Sequence, residues 1–398
     1  MVVDGFVIQR VYIIGTFLPR LTIVAAQYCR CVATAVFTTV VLLRFLVPLL
    51  IPRFPLPAII ACLVLDAADQ TIFQAFTDDP LLGYQTYDKA LDVYYLAIAY
   101  CSSMRNWSDP VAFQTSRFLY LYRLVGVTMF ELFNARWMLL VFANTFEYFF
   151  IAYEAVRTRW NPLRLTASAV LGIAAFIWIF IKLPQEWWIH IAKLDFTDAM
   201  ENHPYMWGVF AVLAVALATV AWVKRKSIPT PDWEFTVDVN KHLPPRVAPG
   251  ERGPVFSPIL VEKVVFLSLI CVIFAQVLPD IESSNLGIAV GIALMVVLNA
   301  LVTEFLYRRG HRWTRIGSGF AITLAINVGI AFADSLLTRR GSDAPRLNTV
   351  FFVLLVSLLV AMFDLMRAGR GADDGRQPVF ATVRAERARR AALTAATN

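Results

Sequence analysis

Residues 57–76 read PAIIACLVLDAADQTIFQAF, and residues 86–103 read TYDKALDVYYLAIAYCSS. Each stretch approaches the ~20 predominantly apolar residues that cross a bilayer as a helix. Runs of this kind recur along the 398-residue chain, in which 58% of the residues are hydrophobic and 16% are charged. Because a soluble domain carries about 25% charged residues, the composition indicates an integral membrane protein. We predict an all-α, polytopic transmembrane helical bundle.

The apolar runs predict about eleven or twelve spans. Segment 6–28 is interrupted by Pro19 and Arg20, so it either lies along the interface or crosses with a kink. The other predicted spans are 32–52, 57–76, 86–103, 117–133, 137–155, 165–183, 205–223, 260–279, 286–306, 316–337 and 347–366.

A proline-rich linker divides the chain. Proline lacks a backbone N–H and fixes φ, so we expect residues 224–260 to be irregular. The predicted organisation is an N-terminal membrane half over 1–223, which carries the acidic site, this linker, a C-terminal membrane half over 261–366, and a basic tail over 367–398.

The positive charge indicates the topology of the chain. The net charge is +7, and much of the basic character lies in loops at 157–164, 224–226 and 308–315 and in the tail from 367. Arg and Lys in short loops mark the cytoplasmic side, so we expect a cytoplasmic C-terminus and no nucleic-acid partner. The richness in Ala, Val and Arg suggests a bacterial inner membrane.

Four aspartates lie in the two segments quoted above. Asp66 and Asp69 end the first helix, and Asp88 and Asp92 begin the second. Their i,i+3 and i,i+4 spacings put each pair on one helix face, and a short connection makes the two helices antiparallel neighbours. A carboxylate at mid-membrane costs roughly 2.5–3.5 kcal/mol on insertion scales, so something must offset it. Several carboxylates at one depth suit Mg²⁺, Mn²⁺ or Ca²⁺.

The order Asp66-x-x-Asp69, Gly83, Asp88-x-x-x-Asp92 resembles the signature of the CDP-alcohol phosphatidyltransferases, D-x2-D-G-x2-A-R-x8-G-x3-D-x3-D. The resemblance covers 27 of the 398 residues. It implies that Asp66, Asp69 and Asp88 bind Mg²⁺ or Mn²⁺. It also implies a catalytic role for Asp92, as the general base for an attacking alcohol, with Asp88 beside it.

The sequence departs from that signature in three places. Gln70 stands where the family has a glycine, Phe73-Gln74 stand where it has Ala-Arg, and one extra residue separates Gly83 from the third aspartate. Because Gln70 and Lys89 adjoin the acidic residues, we expect both to contact the substrate.

Three further polar residues in apolar segments are predicted to bind an anionic headgroup. Arginine suits two-point recognition of phosphate, which assigns Arg123 to the anion, while Asn144 and Glu147 would orient the substrate. The structural alternative is that the aspartates pair with Arg117 and Arg123 and only hold helices together.

The leading interpretation is a membrane enzyme that acts on a lipid-linked or polyprenyl phosphate. It would be a transferase that depends on a divalent cation and has membrane lipid as its partner. A proton- or cation-coupled transporter or flippase is the second interpretation, although the spans show few helix breaks apart from Pro48. A non-catalytic subunit of a membrane complex is the third. The chain has no Gly-x4-Gly-Lys-Ser/Thr loop and no Gly-x-Ser-x-Gly elbow, which counts against a nucleotide-driven pump and a serine hydrolase.

Overall fold

The computed structural model describes residues 35–76, 84–192, 200, 202–225, 229–241, 256–277, 284–309, 316–337 and 347–367. In these ranges the chain is almost entirely helical and has no β-strand, which confirms the predicted all-α class. A helix lies over each predicted span from 32–52 onwards. The predicted segment 6–28, Gly83 of the signature and the basic tail beyond 367 lie outside the described residues.

Several helices begin with proline, whose fixed φ suits the first helical turn and whose missing N–H is not needed there. The helices are α1 (Ala35–Leu50), α2 (Pro55–Phe76), α3 (Tyr84–Asn106), α4 (Pro110–Phe133), α5 (Trp137–Val141), α6 (Thr145–Arg157), α7 (Ala167–Ile191), α8 (Tyr205–Lys224), α9 (Pro258–Val277), α10 (Asn285–Arg308), α11 (Ile316–Leu337) and α12 (Leu347–Arg367).

The most apolar helical stretches have the length of membrane spans. Five of them in the described ranges are long and apolar enough to cross a membrane: Trp137–Arg157, Ala167–Ile191, Pro258–Val277, Asn285–Leu306 and Val350–Arg367. The chain is therefore a multi-pass membrane protein. The other predicted spans are helical, and their crossing of the membrane stays a prediction.

Helix α3 lies at the centre of the bundle, although it is rich in polar residues. It packs against α2, α4, α6, α9 and α12 and the end of α1, and its residues from Ala90 to Met104 are buried throughout. The hydrocarbon core of a bilayer cannot form hydrogen bonds with polar groups, so a polar helix at that depth is stable only in the interior of the bundle. Because α9 and α12 both contact α3, the two predicted membrane halves share one interior.

Helix α7 departs from regular α-helical geometry. Its stretches Ile177–Lys182 and Trp187–Ile191 are π-helical, with a short α-helical segment containing Pro184 between them. Proline cannot donate the i→i−4 hydrogen bond, which favours wider turns nearby. Three residues of α7 spaced by four, Lys182, Glu186 and His190, are buried in the interior.

The described part of the linker, residues 229–241, is irregular apart from a single 3₁₀ turn at its end. It lies against the loops at one end of the bundle. Trp233 Nε1 donates to the carbonyl of Arg157 at 3.1 Å, and the amide of Thr236 donates to the carbonyl of Thr158 at 3.1 Å. This segment therefore docks on the helix ends without adding to the bundle.

Gly126 on α4 permits close approach of Phe142, which lies in the break between α5 and α6. A Cβ atom on Gly126 would lie 2.0 Å from Cβ and 2.6 Å from Cγ of Phe142. We expect Gly126→Ala to destabilise the protein by about 1–3 kcal/mol, the usual cost of overpacking. Gly172→Ala on α7 is the control, because a Cβ there meets nothing within 4 Å. Equal midpoints of thermal unfolding in detergent for Gly126→Ala and Gly172→Ala would contradict this packing.

Candidate functional site

The four aspartates converge on one arginine, Arg44 of α1. Its guanidinium donates hydrogen bonds to the carboxylates of Asp66 and Asp69 on α2 and of Asp88 and Asp92 on α3. Asp88 Oδ1 and Asp92 Oδ1 each lie 3.2 Å from an Arg44 nitrogen. The expected meeting of the four carboxylates is observed, and Arg44 lies at its centre.

Lys89 is the second cation at this place. Its Nζ lies 2.8 Å from Asp88 Oδ2 and 3.2 Å from Asp92 Oδ2, so it pairs with the carboxylates. Contact of Lys89 with a substrate stays a prediction. Four negative charges face two positive charges, which leaves a formal charge of −2. We call Arg44, Asp66, Asp69, Asp88, Lys89 and Asp92 the aspartate cluster.

The aspartate cluster is buried except on one side. The side chain of Asp69 is fully buried, whereas those of Asp66 and Asp88 are 24% and 15% exposed. Carboxylate oxygens of Asp66, Asp88 and Asp92 lie within 4.8 Å of one another. They are close enough for a single cation to contact all three, and the partly exposed side offers it an entrance.

The role of Arg44 was missed in the sequence, where pairing was assigned to Arg117 and Arg123. Arg117 instead pairs with Glu262 at 2.7 Å, and Arg123 lies 3.8 Å from Glu186. The signal was present, because Arg44 interrupts the apolar run VVLLRFLV and an intramembrane arginine needs a buried partner. Which acids provide it depends on the packing of three helices, and spacing within one helix does not show that.

A second polar network lies beside the aspartate cluster and centres on Glu147 of α6. Tyr95 OH donates to Glu147 Oε1 at 2.7 Å, and Asn144 Nδ2 donates to Glu147 Oε2 at 3.0 Å. Lys182 Nζ lies 3.6 Å from Glu147 Oε2. Since Tyr95 follows Asp92 by three residues on α3, the two groups are neighbours along one helix face.

The network continues through Glu186 to His190 on α7. Glu186 accepts from the backbone N–H of Asn144 at 3.1 Å and lies 3.0 Å from His190 Nε2. Arg123 adjoins Glu186 and also donates to the carbonyl of Phe142 at 3.0 Å. Two glutamates thus face one lysine and one arginine. We call Tyr95, Arg123, Asn144, Glu147, Lys182, Glu186 and His190 the glutamate network.

The structure brings the predicted headgroup residues together, but apart from the aspartates. Arg123, Asn144 and Glu147 all belong to the glutamate network, which adjoins the aspartate cluster through Tyr95 on α3. Gln70 lies on α2, and its side chain is outside the part of the chain that the structure describes.

The sequence analysis did not identify the three α7 members of the glutamate network. Lys182, Glu186 and His190 follow one another at intervals of four beside an apolar run, and that spacing was the available signal. Spacing by four puts them on one helix face, but whether that face turns to the interior depends on how α7 packs, which spacing within one helix does not show.

Comparisons of the chain with protein-family models, curated proteins and solved structures find no match. The resemblance to the CDP-alcohol phosphatidyltransferases therefore rests on the residues of the signature alone. The geometry adds that its four aspartates occupy two consecutive helices and meet at one place.

Removing Lys182 would leave Glu147 buried without its cation. We expect Lys182→Met to destabilise the protein by up to about 3 kcal/mol, because a buried charge loses its partner. The double variant Lys182→Met/Glu147→Gln should recover most of the loss, since the amide oxygen of Gln can accept from Tyr95 and its NH2 can donate to Asn144 Oδ1, which has no partner in the wild type, once the Asn144 amide turns over. Thermal unfolding in detergent measures both effects.

The control for this series is Arg308→Met, which breaks a surface pair with Glu304 whose arginine is 76% exposed. Such a pair contributes less than about 1 kcal/mol. If Lys182→Met had no larger effect than Arg308→Met, the buried pairing of Lys182 with Glu147 would be wrong.

Proposed function

We propose that the protein is a membrane-embedded transferase that acts on a lipid-linked phosphate and depends on Mg²⁺ or Mn²⁺. The observation that carries the proposal is the formal charge of −2 left on the aspartate cluster after Arg44 and Lys89 are counted. Uncompensated charge in a low-dielectric interior is costly. One divalent cation would balance it.

The donor set fits such an ion. Mg²⁺ and Mn²⁺ take oxygen ligands, commonly one or two carboxylates together with water and substrate phosphate. Asp66 and Asp88 offer clustered oxygens, and both residues are partly exposed. When bound, a divalent cation would neutralise and polarise the phosphate group of the substrate.

The residues of the cluster supply proton transfer and orientation. Asp92, the general base by resemblance, would accept the proton of the attacking hydroxyl, while Lys89 at 3.2 Å holds its carboxylate in place. The planar guanidinium of Arg44 matches two oxygens of a phosphate as well as it matches a carboxylate. A phosphate entering the cluster would therefore take over one of the contacts that Arg44 now makes with an aspartate.

We place the protein in a bacterial inner membrane with its C-terminus in the cytoplasm. The support is the positive-inside rule applied to the basic loops at 157–164 and 224–226. Asp66 and Asp69 lie in the middle of α2, which continues to Phe76, and not at its end as the sequence predicted; Asp88 and Asp92 lie in the first half of α3. Counting spans puts the connection between α2 and α3 on the outward-facing side.

Binding of Mn²⁺ to the purified full-length protein is the direct test. We expect one bound ion per chain by electron paramagnetic resonance, and binding weaker by at least about tenfold in Asp88→Asn, which removes one of the clustered ligands. Asp238→Asn is the matched control, because Asp238 pairs with exposed Arg53 outside the cluster. Thermal unfolding of both variants confirms that they are folded.

The chemistry is tested by incubating the protein in lipid vesicles with CDP-diacylglycerol and a panel of alcohols. We expect release of CMP that requires Mg²⁺ or Mn²⁺ and is lost in Asp92→Asn. An absence of Mn²⁺ binding by folded wild-type protein would overturn the metal-dependent function. Binding without CMP release would remove the CDP-activated substrate and keep the metal site.

A proton- or cation-coupled transporter is the second candidate, and the helix breaks favour it. The sequence predicted few breaks apart from Pro48, whereas residues 142–144 separate α5 from α6 and α7 contains two π-helical stretches. Interrupted helices form the sites of many secondary transporters, and buried chains of acids and histidines carry protons in pumps. Protons, rather than a metal ion, would then balance the aspartate cluster.

Proton flux separates the two candidates. In proteoliposomes with an imposed pH gradient and an internal pH-sensitive dye, a transporter would give a flux that Glu147→Gln abolishes. The transferase would give no flux above that of empty liposomes.

A further inference from the structure

We propose that Arg367, at the end of α12, is the anchor of a binding site for the phosphate group of an anionic phospholipid. Arg367 is 8% exposed, and two of its guanidinium nitrogens, Nε and Nη2, are buried without a hydrogen-bond partner. A buried guanidinium that lacks an acceptor carries a desolvation cost that nothing offsets. An anionic ligand would supply the missing acceptors.

Two acids near Arg367 are already engaged by other cations. Asp364, three residues before Arg367 on α12, accepts two hydrogen bonds from Lys263 at 2.7 and 2.9 Å. Glu262 pairs with Arg117 at 2.7 Å and also accepts a hydrogen bond from Tyr100. Each of these acids therefore has its own basic partner.

The corner that holds Arg367 is formed by the first turns of α4 and α9 and the last turn of α12. Arg117 is matched with Glu262 and Lys263 with Asp364, whereas Nε and Nη2 of Arg367 have no acceptor. The unmatched donors at this corner are therefore those of Arg367.

The surroundings of Arg367 favour a lipid as the source of the anion. The guanidinium lies 6.0 Å from the ring centre of Phe113, and Phe113 stacks on Tyr100 with ring centres 6.4 Å apart. Arg367 is also the last residue of a stretch long and apolar enough to cross a membrane. A basic residue at the end of a span lies at the depth of the headgroups, where anionic lipids bind.

The geometry of arginine explains why the phosphate group is the recognised part. Its nitrogens form a planar fork that donates two parallel hydrogen bonds to phosphate oxygens. Arg367 has Nε and Nη2 free for this. The site is independent of the proposed transferase function, because Asp88 and Asp92 lie in the first half of α3 whereas Tyr100 lies in its second half.

Native mass spectrometry of the full-length protein with added phosphatidylglycerol tests the site. We expect one retained phosphatidylglycerol in the wild type, with binding weaker by at least about tenfold in Arg367→Gln. Arg308→Gln is the matched control, because Arg308 also ends a helix but is exposed and paired with Glu304. Equal retention in wild type and Arg367→Gln would overturn the proposal.

Two further binding measurements identify the source of the anion. We expect phosphatidylcholine, whose headgroup has no net charge, to be retained less than phosphatidylglycerol. Inorganic phosphate that displaced phosphatidylglycerol at equal concentration would show that the site takes a free oxyanion instead of a lipid, which would overturn the lipid assignment.

Stability without lipid gives a separate readout that does not depend on a bound ligand. Because the unpaired charge is costly, Arg367→Met should be at least as stable as the wild type in neutral detergent, and phosphatidylglycerol should raise the unfolding midpoint of the wild type only.

The full-length variant Asp373→Asn/Asp374→Asn tests whether carboxylates of the chain itself pair with Arg367. The proposal would be overturned if Asp373→Asn/Asp374→Asn destabilised the wild type but did not destabilise the Arg367→Met variant.

Discussion

The pairing of Arg44 with four aspartates is the interaction on which the N-terminal part of the bundle depends. One guanidinium joins α1, α2 and α3, and each carboxylate alone would be costly at this depth. Breaking such a buried pair is strongly destabilising, because the partner is left as an isolated charge. The aspartate cluster still carries net negative charge after this pairing. The cluster that joins three helices can therefore also bind a cation.

The placement of α3 follows from the same constraint. Its polar side chains reach acceptors on its neighbours: Tyr94 donates to the carbonyl of Phe45 at 3.1 Å, and Tyr95 donates to Glu147 at 2.7 Å. A helix with so many hydroxyl and charged groups is excluded from lipid contact, so the more apolar helices surround it. The aspartate cluster and the glutamate network both result from this central position, since both include residues of α3.

Helix positions and the meeting of the aspartates could be predicted from the sequence, because both depend on local spacing. Runs such as residues 286–306 have the length of a span, and the spacing from Asp66 to Asp69 puts both on one face. Arg44 could not be assigned, because an arginine in an apolar run looks the same whether it pairs with acids or snorkels to the interface. The burial of Glu186 could not be predicted either, since it depends on which face of α7 packs against its neighbours, and spacing within one helix does not show that.

A double-mutant cycle between Arg44 and Asp69 tests the central claim most directly. The free energy of unfolding is measured in detergent for the wild type, Arg44→Leu, Asp69→Asn and the double variant. The account predicts a coupling energy above about 0.5 and up to about 3 kcal/mol, the range for residues in one ion-pair network. It also predicts that Arg44→Leu destabilises more than Asp69→Asn, because it leaves four carboxylates without their shared partner. Additive effects within about 0.5 kcal/mol would contradict the placement of Arg44 at the centre of the aspartates.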